Sequence, residues 1–239
     1  FGFSLNPLSA RNFYEARLDA MEEEPYECEL LAPLQASTVQ GREALAKPLP
    51  PVVYSFRGML ANVTDIQGMD IAGNKPPESI DAGILLAIEN AQDLVTMAAL
   101  MSPEVAALNL LPVGEARPLE LPQLATIAEE AFAALSSGAL SVSIGAGAGE
   151  KAETMLEADV ESPMPFMSFS MDAKRYYEFV GDAVMQQEES EESEPMPPEM
   201  RNAIRDIMVS SGDIYERMSV NVHLTERGIE VGSRITLGN

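Results

Sequence analysis

Three segments of the chain repeat one pattern of apolar and polar positions. Each has an apolar stretch that predicts a strand, then a residue suited to cap a helix, then Ala, two polar residues and two apolar ones. The alanines are Ala10, Ala91 and Ala173, which are 81 and 82 positions apart. This near-equal spacing predicts three related strand–helix units. They are expected to span residues 1–82, 83–164 and 165–239.

The residue before each alanine is suited to begin a helix. Ser9, Asn90 and Asp172 each carry a side-chain oxygen that accepts a hydrogen bond from an N–H group of the first helical turn. In the third unit the apolar residues then recur at i, i+3, i+4, i+7 and i+11 from Ala173, the spacing of an amphipathic helix. We therefore expect the helices to lie with one face on a sheet and to cover one side of it.

Later parts of each unit predict further elements. Helices are expected over 34–46, 123–136, 150–157 and 199–209, and strands over 52–66, 139–144, 215–225 and 228–237. The last two strands alternate apolar and polar residues around the turn Glu226-Arg227-Gly228, which predicts a hairpin with one wet face. The fold class expected is α+β, with one or two mostly antiparallel sheets, packed as one or two domains.

The charge of the chain is strongly negative. It has 15 Lys and Arg against 38 Asp and Glu, a formal net charge of −23. Such a surface repels phosphate backbones and anionic lipid headgroups, so we expect neither nucleic acid nor a direct anionic-membrane contact. The charge either maintains solubility or attracts a basic partner. Residues 188–195, rich in Glu and Ser, predict a solvated, mobile loop.

The start of the chain and its cysteine bear on cellular location. The sequence opens on Phe1 and shows no signal peptide, so we expect a mature form or a fragment of a longer chain. Cys28 is the single cysteine, and its acidic neighbours disfavour a thiolate. It is either a small, partly buried residue or the partner of a cysteine outside this segment, and a disulfide would imply export.

A run of glycines is the strongest candidate for a ligand-binding motif. The run begins at Gly145, after a predicted strand and before a predicted helix, which is the setting of a phosphate-binding loop. The spacing does not fit, because Glu150 stands where a dinucleotide fingerprint has glycine, and Gly149-Glu150-Lys151-Ala152 stands where a phosphate loop has Gly-Lys-Ser/Thr. A flexible turn is the favoured interpretation.

The other chemically useful residues form no recognisable catalytic or metal site. His223, the single histidine, falls on the polar side of its strand and is expected at the surface. Carboxylates are plentiful, but no pair can be singled out. We therefore predict no catalytic residue, no metal ligand and no cofactor, and assign no ligand-binding residue.

Methionine is frequent, with 14 residues in the chain. Met164, Met167 and Met171 cluster near one predicted strand, and Met97 and Met101 are one helical turn apart. Methionines of this kind fill a core or line an adaptable apolar groove, and thioether clusters also bind Cu(I).

Three features together resemble exported proteins of the bacterial cell envelope, over about half of the chain. They are the strand–Asp172–Ala173 helix segment, the Pro48-Leu49-Pro50-Pro51 stop and the Glu226-Arg227-Gly228 hairpin. The resemblance implies a periplasmic or exported location and transfers no functional residue.

Three functions from different classes fit these observations. The first is a non-catalytic binding or structural module of the cell envelope, with a protein partner. The second is a carrier of an apolar ligand in a groove lined by Met, Phe and Tyr, which requires an apolar cavity of roughly several hundred Å³. The third is a hydrolase that uses two neighbouring carboxylates, at least one with a perturbed pKa.

Overall fold

A computed structural model of the chain describes residues 1–68, 77–120, 127–158, 165–186 and 197–238. Its strands are β1 (Gly2–Leu5), β2 (Phe56–Gln67), β3 (Ser79–Ile88), β4 (Ala116–Pro118), β5 (Ala131–Leu135), β6 (Ala139–Ile144), β7 (Met167–Asp172), β8 (Tyr215–Thr225) and β9 (Gly228–Leu237). Its helices are α1 (Pro7–Glu23), α2 (Ala32–Ala36), α3 (Thr38–Ala46), α4 (Pro51–Ser55), α5 (Ala91–Met101), α6 (Pro103–Ala107), α7 (Ala148–Leu156), α8 (Ala173–Gln186) and α9 (Pro198–Ile214), with a 3₁₀ turn at Glu29–Leu31. The loop expected over 188–195 and the side chain of Met164 lie outside the described residues.

The described strands form one sheet in the order β4-β5-β6-β3-β2-β1-β7-β8-β9. Each neighbouring pair is antiparallel. The α+β class with an antiparallel sheet is therefore confirmed. Strands from residues 1–82, 83–164 and 165–239 all belong to this sheet, with β1 between β2 and β7.

The best-packed core lies where α5 meets the sheet. Ala91 and Val95 of α5 are buried against Ile88, Ala133 and Leu135 of the strands. Leu140 and Val142 of β6 pack against the same cluster from the edge of the buried region. Burial of these apolar side chains fixes α5 on one face of the sheet.

A second helix, α7, lies on the opposite face. Ser141 of β6 stands between Leu140 and Val142, so its side chain points away from the α5 cluster. Its hydroxyl donates a hydrogen bond to the carbonyl oxygen of Ala152 in α7. The expectation that helices cover one side of the sheet is therefore wrong at this end, where helices lie on both faces.

The first helices pack on each other through a small residue and an arginine. Leu18 of α1 is fully buried, and a Cβ atom on Gly41 of α3 would lie only 3.0 Å from its methyl groups. The Arg42 guanidinium donates to both oxygens of Glu22 at 2.8 and 3.0 Å, and to Asp19. The close contact at Gly41 and the ion pairs of Arg42 together join α1 to α3.

Several expected elements agree closely with the structure. The strands expected over 139–144, 215–225 and 228–237 are confirmed at the same residues, and the helix expected over 150–157 is α7. Gly228 has φ +138, in keeping with its place in the hairpin turn. The helix expected over 34–46 is interrupted at Ser37, and α9 runs five residues beyond the expected end.

The helix expected over 123–136 is wrong in its described part. Residues Ala131–Leu135 form β5, between β4 and β6. Alanine-rich sequence favours helix, but Ala133, Ala134 and Leu135 are almost completely buried, which a central strand requires on both of its faces. Burial overrides the local preference here. Residues Ala116–Pro118, for which no element was expected, form β4.

The three expected helix caps have different outcomes. Asp172 caps α8 as expected, because its Oδ1 accepts the Arg175 N–H at 2.9 Å. Asn90 precedes α5 but is left-handed, with φ 57, and makes no side-chain cap bond. Ser9 is wrong as a cap, because α1 already begins at Pro7 and the Asn6 side chain accepts the Ser9 N–H. Proline fits the first helical turn, where no N–H partner is needed.

Replacing Leu135 by Ala tests the importance of the α5 cluster. The side chain is fully buried, so Leu135→Ala should lower the free energy of unfolding by about 2–5 kcal/mol. Leu100→Ala is the matched control, because that side chain is 85% exposed, and it should change stability by less than about 0.5 kcal/mol. Urea denaturation measures both, and equal effects would contradict this description of the core.

Candidate functional site

One face of the sheet carries small and polar side chains across most of its width. Directly opposed residues of antiparallel strands point to the same face, so rows can be followed from strand to strand. One row contains Ser141, Leu85, Leu60, Ser4, Ser168, Asn221 and Gly232. The next row contains Ser143, Gly83, Asn62, Gly2, Ser170, Ser219 and Arg234. We call the surface formed by these two rows the polar face.

The α7 helix covers one end of the polar face. Ser143 Oγ lies 3.7 Å from Met155 Sδ of this helix. A Cβ atom on Gly83 would lie 2.5 Å from the same sulfur, closer than side-chain atoms tolerate. Small residues at these positions therefore let α7 approach the strands closely.

A groove of about 430 Å³ lies on the polar face beyond α7. Strands β1, β2, β3, β7, β8 and β9 provide most of its lining, with Ala158 after α7 and Pro165 before β7. From β3 to β9 there are five steps between strands, or roughly 24 Å at about 4.8 Å a step. The groove therefore suits an extended ligand that lies across the strands.

The two ends of the groove differ in chemistry. Leu60 and Leu85 form an apolar end on β2 and β3. The middle and far end carry hydroxyl, amide and guanidinium groups, from Ser4, Ser168, Ser170, Ser219, Asn221, Thr236, Arg217 and Arg234. A ligand in this groove meets hydrogen-bonding groups along most of its length.

Two arginines stand together at the polar end. Ser219 faces Arg234 across the β8–β9 pair, and Arg217 faces Thr236, so the arginines are diagonal neighbours on one face. Diagonal positions are roughly 7–8 Å apart, within reach of one small ligand. Within the described part of the chain, neither guanidinium forms a hydrogen bond or an ion pair. In a protein with 38 acidic residues, this leaves two exposed cations facing one groove.

An acidic residue lies opposite one of these arginines and caps a helix. Asp172 stands directly opposite Arg217 across the β7–β8 pair. Its Oδ1 accepts the backbone N–H of Arg175 at the start of α8. Asp172 thus uses one carboxylate oxygen to cap a helix, and it forms no ion pair with Arg217 in this structure.

The glycine run binds a carboxylate of the protein itself. The Asp81 carboxylate of β3 accepts the Ala146 N–H at 2.9 Å through Oδ1 and the Lys151 ammonium at 2.9 Å through Oδ2. Gly145 has φ +97, and a Cβ atom there would lie 1.6 Å from Asp81 Oδ1. The loop thus has an anion-binding geometry, but an internal carboxylate fills it, consistent with the expectation that it is not a phosphate cradle.

Asp81 is held in its ionised form by this arrangement. The hydrogen bond from Lys151, joined by that from the Ala146 N–H, lowers the pKa of Asp81 below its ordinary value of 3.8. The Lys151 and Asp81 side chains are 36% and 27% exposed, so solvent weakens their attraction.

Other carboxyl groups also favour the ionised form. The pKa of Glu22 is lowered by hydrogen bonding to Arg42, that of Glu104 by the Ser102 hydroxyl, and that of Glu230 by the Thr225 hydroxyl and then Arg227. A general acid requires a raised pKa. These carboxyl groups therefore do not suit the acid role that a hydrolase needs.

A second groove, of about 410 Å³, gathers carboxylates around an arginine. Asp65, Asp172 and Glu178 line it together with Arg175. The Arg175 side chain donates to the carbonyl oxygen of Thr64, which fixes the guanidinium against β2. The arrangement is that of a structural junction between α8 and β2.

The structure separates the methionines from the main groove. Met167 and Met171 alternate with Ser168 and Ser170 along β7, so they point to the opposite face. Met97 and Met101 of α5 are 51% and 84% exposed, so they are not core residues. The serines of β7 therefore line the groove on the polar face, and a groove lined by Met, Phe and Tyr stays a prediction.

The remaining single residues lie apart from the groove. His223 faces Glu230 on the β8–β9 pair, on the polar side that its alternation predicts. Cys28 is exposed, so the expectation of a partly buried residue is wrong, while a disulfide to a cysteine elsewhere stays a prediction. Across the described ranges, no three His, Cys, Asp or Glu side chains are grouped to hold a metal ion.

Comparisons with protein-family models, with curated proteins and with solved structures return no match for this chain. Among the helices described, none has both the length and the apolar character needed to span a membrane. The function is therefore argued from the geometry of the polar face.

Replacing Gly145 by Ala tests the loop around Asp81. The positive φ and the position of the Asp81 carboxylate both exclude a side chain, so Gly145→Ala should cost at least about 1–3 kcal/mol of stability. Gly138→Ala is the control, since no atom lies within 4 Å of the added Cβ. Thermal and urea denaturation of the two variants should differ clearly, and equal stability would contradict the loop geometry.

The Asp81 carboxylate also makes a pH-dependent contribution to stability. Its pKa is lowered in the folded protein, so its contribution is present above about 3.8 and is lost as the pH falls through the folded value. Asp81→Asn should therefore cost about 1 kcal/mol near neutral pH. The difference from the natural protein should shrink in acid, because both side chains are then uncharged. Urea denaturation across this range measures it, and a difference independent of pH would rule out the ion pair.

Proposed function

We propose that the protein is a non-catalytic binding module of the cell envelope and that its groove takes an extended ligand with an anionic group. The observation that supports this most directly is the pair of exposed arginines, Arg217 and Arg234, on one groove and without acidic partners among the described residues. Like charges held close together are unfavourable unless an anion neutralises them. Guanidinium groups also match the two oxygens of a carboxylate or phosphate.

The lining of the groove supports binding rather than catalysis. Hydroxyl and amide groups of Ser168, Ser170, Ser219 and Asn221 can donate and accept hydrogen bonds along a polar ligand. His223, the single histidine, lies outside this lining. These groups fix position and orientation, which is what a binding site requires.

The net charge of the protein adds a constraint on the ligand. A charge of −23 repels anions at a distance, so the groove offers little attraction to polyanions such as nucleic acid. Attraction is confined to the two arginines and is felt at short range, because salt screens charges beyond about 8 Å. A ligand with a single anionic group fits this balance best. The envelope location is carried over from the resemblance and belongs to the same proposal.

We also propose that the chain contains an internal repeat of three strand–helix units. In each unit, the first strand pairs antiparallel with a later strand of the same unit, as β1 with β2, β3 with β6, and β7 with β8, although β4 and β5 intervene in the second unit. Ala91 and Ala173 are each the buried first residue of a helix, whereas Ala10 is the fourth residue of α1. We infer that the three units descend from one strand–helix–strand element, with the first unit changed most at its helix start.

Calorimetric titration with matched acid and neutral compounds tests the ligand proposal. Galacturonate and galactose form one pair, and octanoate and octanol form the other. We expect binding of an acid member and not of its neutral counterpart, because the arginines recognise the charge. The pair that binds shows whether the apolar end of the groove is used, and the bound compound should be recovered unchanged.

Two variants assign the binding to the groove. Arg217→Gln should weaken binding by about tenfold or more, since a charge-assisted hydrogen bond contributes at least about 1.4 kcal/mol. Lys47→Gln is the matched control, because it removes one exposed positive charge outside the groove. Equal affinity for acid and neutral members, or an Arg217→Gln protein that binds as tightly as the natural one, would contradict the proposal.

A further inference from the structure

The two edges of the sheet are built differently. The β4 edge is three residues long and ends in Pro118, which has no N–H to offer a further strand. The β9 edge is ten residues long, contains no proline and is exposed along most of its length. Long edges without protection are the ones that pair with another strand.

The outward-pointing groups of β9 follow from its hairpin. Thr225 and Gly228 face each other across a two-residue turn, so they form a hydrogen-bonded pair. Such pairs recur at every second residue, which commits the backbone groups of Gly228, Glu230 and their even-numbered successors to β8. The N–H and C=O groups of the odd-numbered residues therefore point to the free edge.

The side chains of β9 divide in the same way. The odd-numbered residues carry exposed apolar side chains on one face, with Ile229, Val231, Ile235 and Leu237 between 58% and 67% exposed. The even-numbered residues Glu230, Gly232, Arg234 and Thr236 lie on the other face. This edge thus offers backbone donors, backbone acceptors and apolar surface together.

Gly232 is not required by the packing of a single chain. It lies in the middle of the strand, where glycine weakens β structure. A Cβ atom there would meet nothing within 4 Å, and its φ is not positive. Open space beside this glycine leaves room for another backbone to approach closely.

We propose that β9 pairs antiparallel with β9 of a second copy of this chain, about a two-fold axis at Gly232. Odd-numbered residues then oppose odd-numbered residues, as the outward hydrogen-bonding groups require. Glu230 of each copy opposes Arg234 of the other, and Ile229 opposes Ile235. Within its own chain Glu230 accepts hydrogen bonds from Thr225 and Arg227 through Oε1, so Oε2 is the oxygen that would face Arg234 of the second copy. At the axis the two Gly232 residues face each other.

The charges select this register over its neighbours. Shifting the copies by one register step in one direction places Glu230 opposite Gly232, and a shift in the other direction places it opposite Thr236. Both shifts lose the two Glu–Arg pairs. Glu230 and Arg234 stand two residues on either side of Gly232, which is the symmetry a two-fold contact needs. A strand from a different protein would have no reason to match it.

The net charge of −23 on each copy does not exclude this contact. Cross-strand partners are about 5 Å apart, whereas most acidic groups of the two copies are separated by more than the ~8 Å screening length of physiological salt. Even-numbered residues of β9 belong to the polar face, so the contact would also join the polar faces of the two copies. The inference does not rest on the proposed ligand.

Charge reversal at β9 tests the pairing by analytical ultracentrifugation across protein concentration. The natural protein should form dimers, and Glu230→Arg or Arg234→Glu alone should weaken the dimer by at least about tenfold, since each places like charges opposite one another. The double variant Glu230→Arg with Arg234→Glu exchanges the charges and should restore dimers. Lys47→Glu makes the same charge change as Arg234→Glu on another part of the surface and should leave assembly unchanged.

Two further variants separate assembly from folding and from ligand binding. Ser233→Pro should largely retain the circular dichroism and thermal stability of the natural protein while losing dimers, because it removes only an N–H group that points to the free edge. Arg217→Gln, one strand in from the edge, should retain dimers even where it abolishes anion binding. A natural protein that stays monomeric at high concentration, single variants that assemble normally, or a double variant that fails to recover dimers would each overturn the inference.

Discussion

The four residues of β1 hold the two halves of the sheet together. Gly2–Leu5 pairs with β2 on one side and with β7 on the other, so the five strands from β4 to β2 meet the three strands from β7 to β9 only through this segment. The groove crosses the same junction, with Ser4 between Leu60 and Ser168. Its shape therefore depends on a register set over four residues, and a slip of one residue would turn every side chain of β1 to the other face.

A few ion pairs and hydrogen bonds within the chain engage specific charged side chains, whatever the net charge of the protein. The Asp81 carboxylate occupies the anion-binding loop that Gly145 and Lys151 form. This glycine-rich turn therefore binds a carboxylate of its own chain in place of a free phosphate, and the contact stabilises the fold. Arg42 plays a comparable role between α1 and α3, where it binds Glu22. With these cations engaged, Arg217 and its diagonal neighbour differ from the rest of the surface by facing a groove without an acidic partner within the described residues.

Local sequence predicts the elements of this fold better than their arrangement. The terminal hairpin was predictable because strict alternation and a turn glycine, Gly228, act over neighbouring residues. The segment Ala131–Leu135 was not, because its conformation depends on burial between two strands and its composition favours a helix. The groove escaped prediction for a related reason. The serines of β7 were visible in alternation with Met167 and Met171, but only the order of the strands brings them beside Ser4 and Ser219.

The arginines show why such a site needs the whole sheet. Arg217 and Arg234 are separated by the hairpin turn in sequence, and the hairpin alone predicts that they are diagonal neighbours. It does not predict that β1, β2 and β3 extend the same surface into a groove with an apolar end, since that requires the pairing of β7 with β1. The edge position of β9 is likewise a property of strand order. Arg234 lines the groove and also lies on the edge strand, so the proposed anion site and the proposed contact between copies would share this side chain. A guanidinium has five N–H donors, so one side chain can contact a carboxylate of a second copy and a bound anion together.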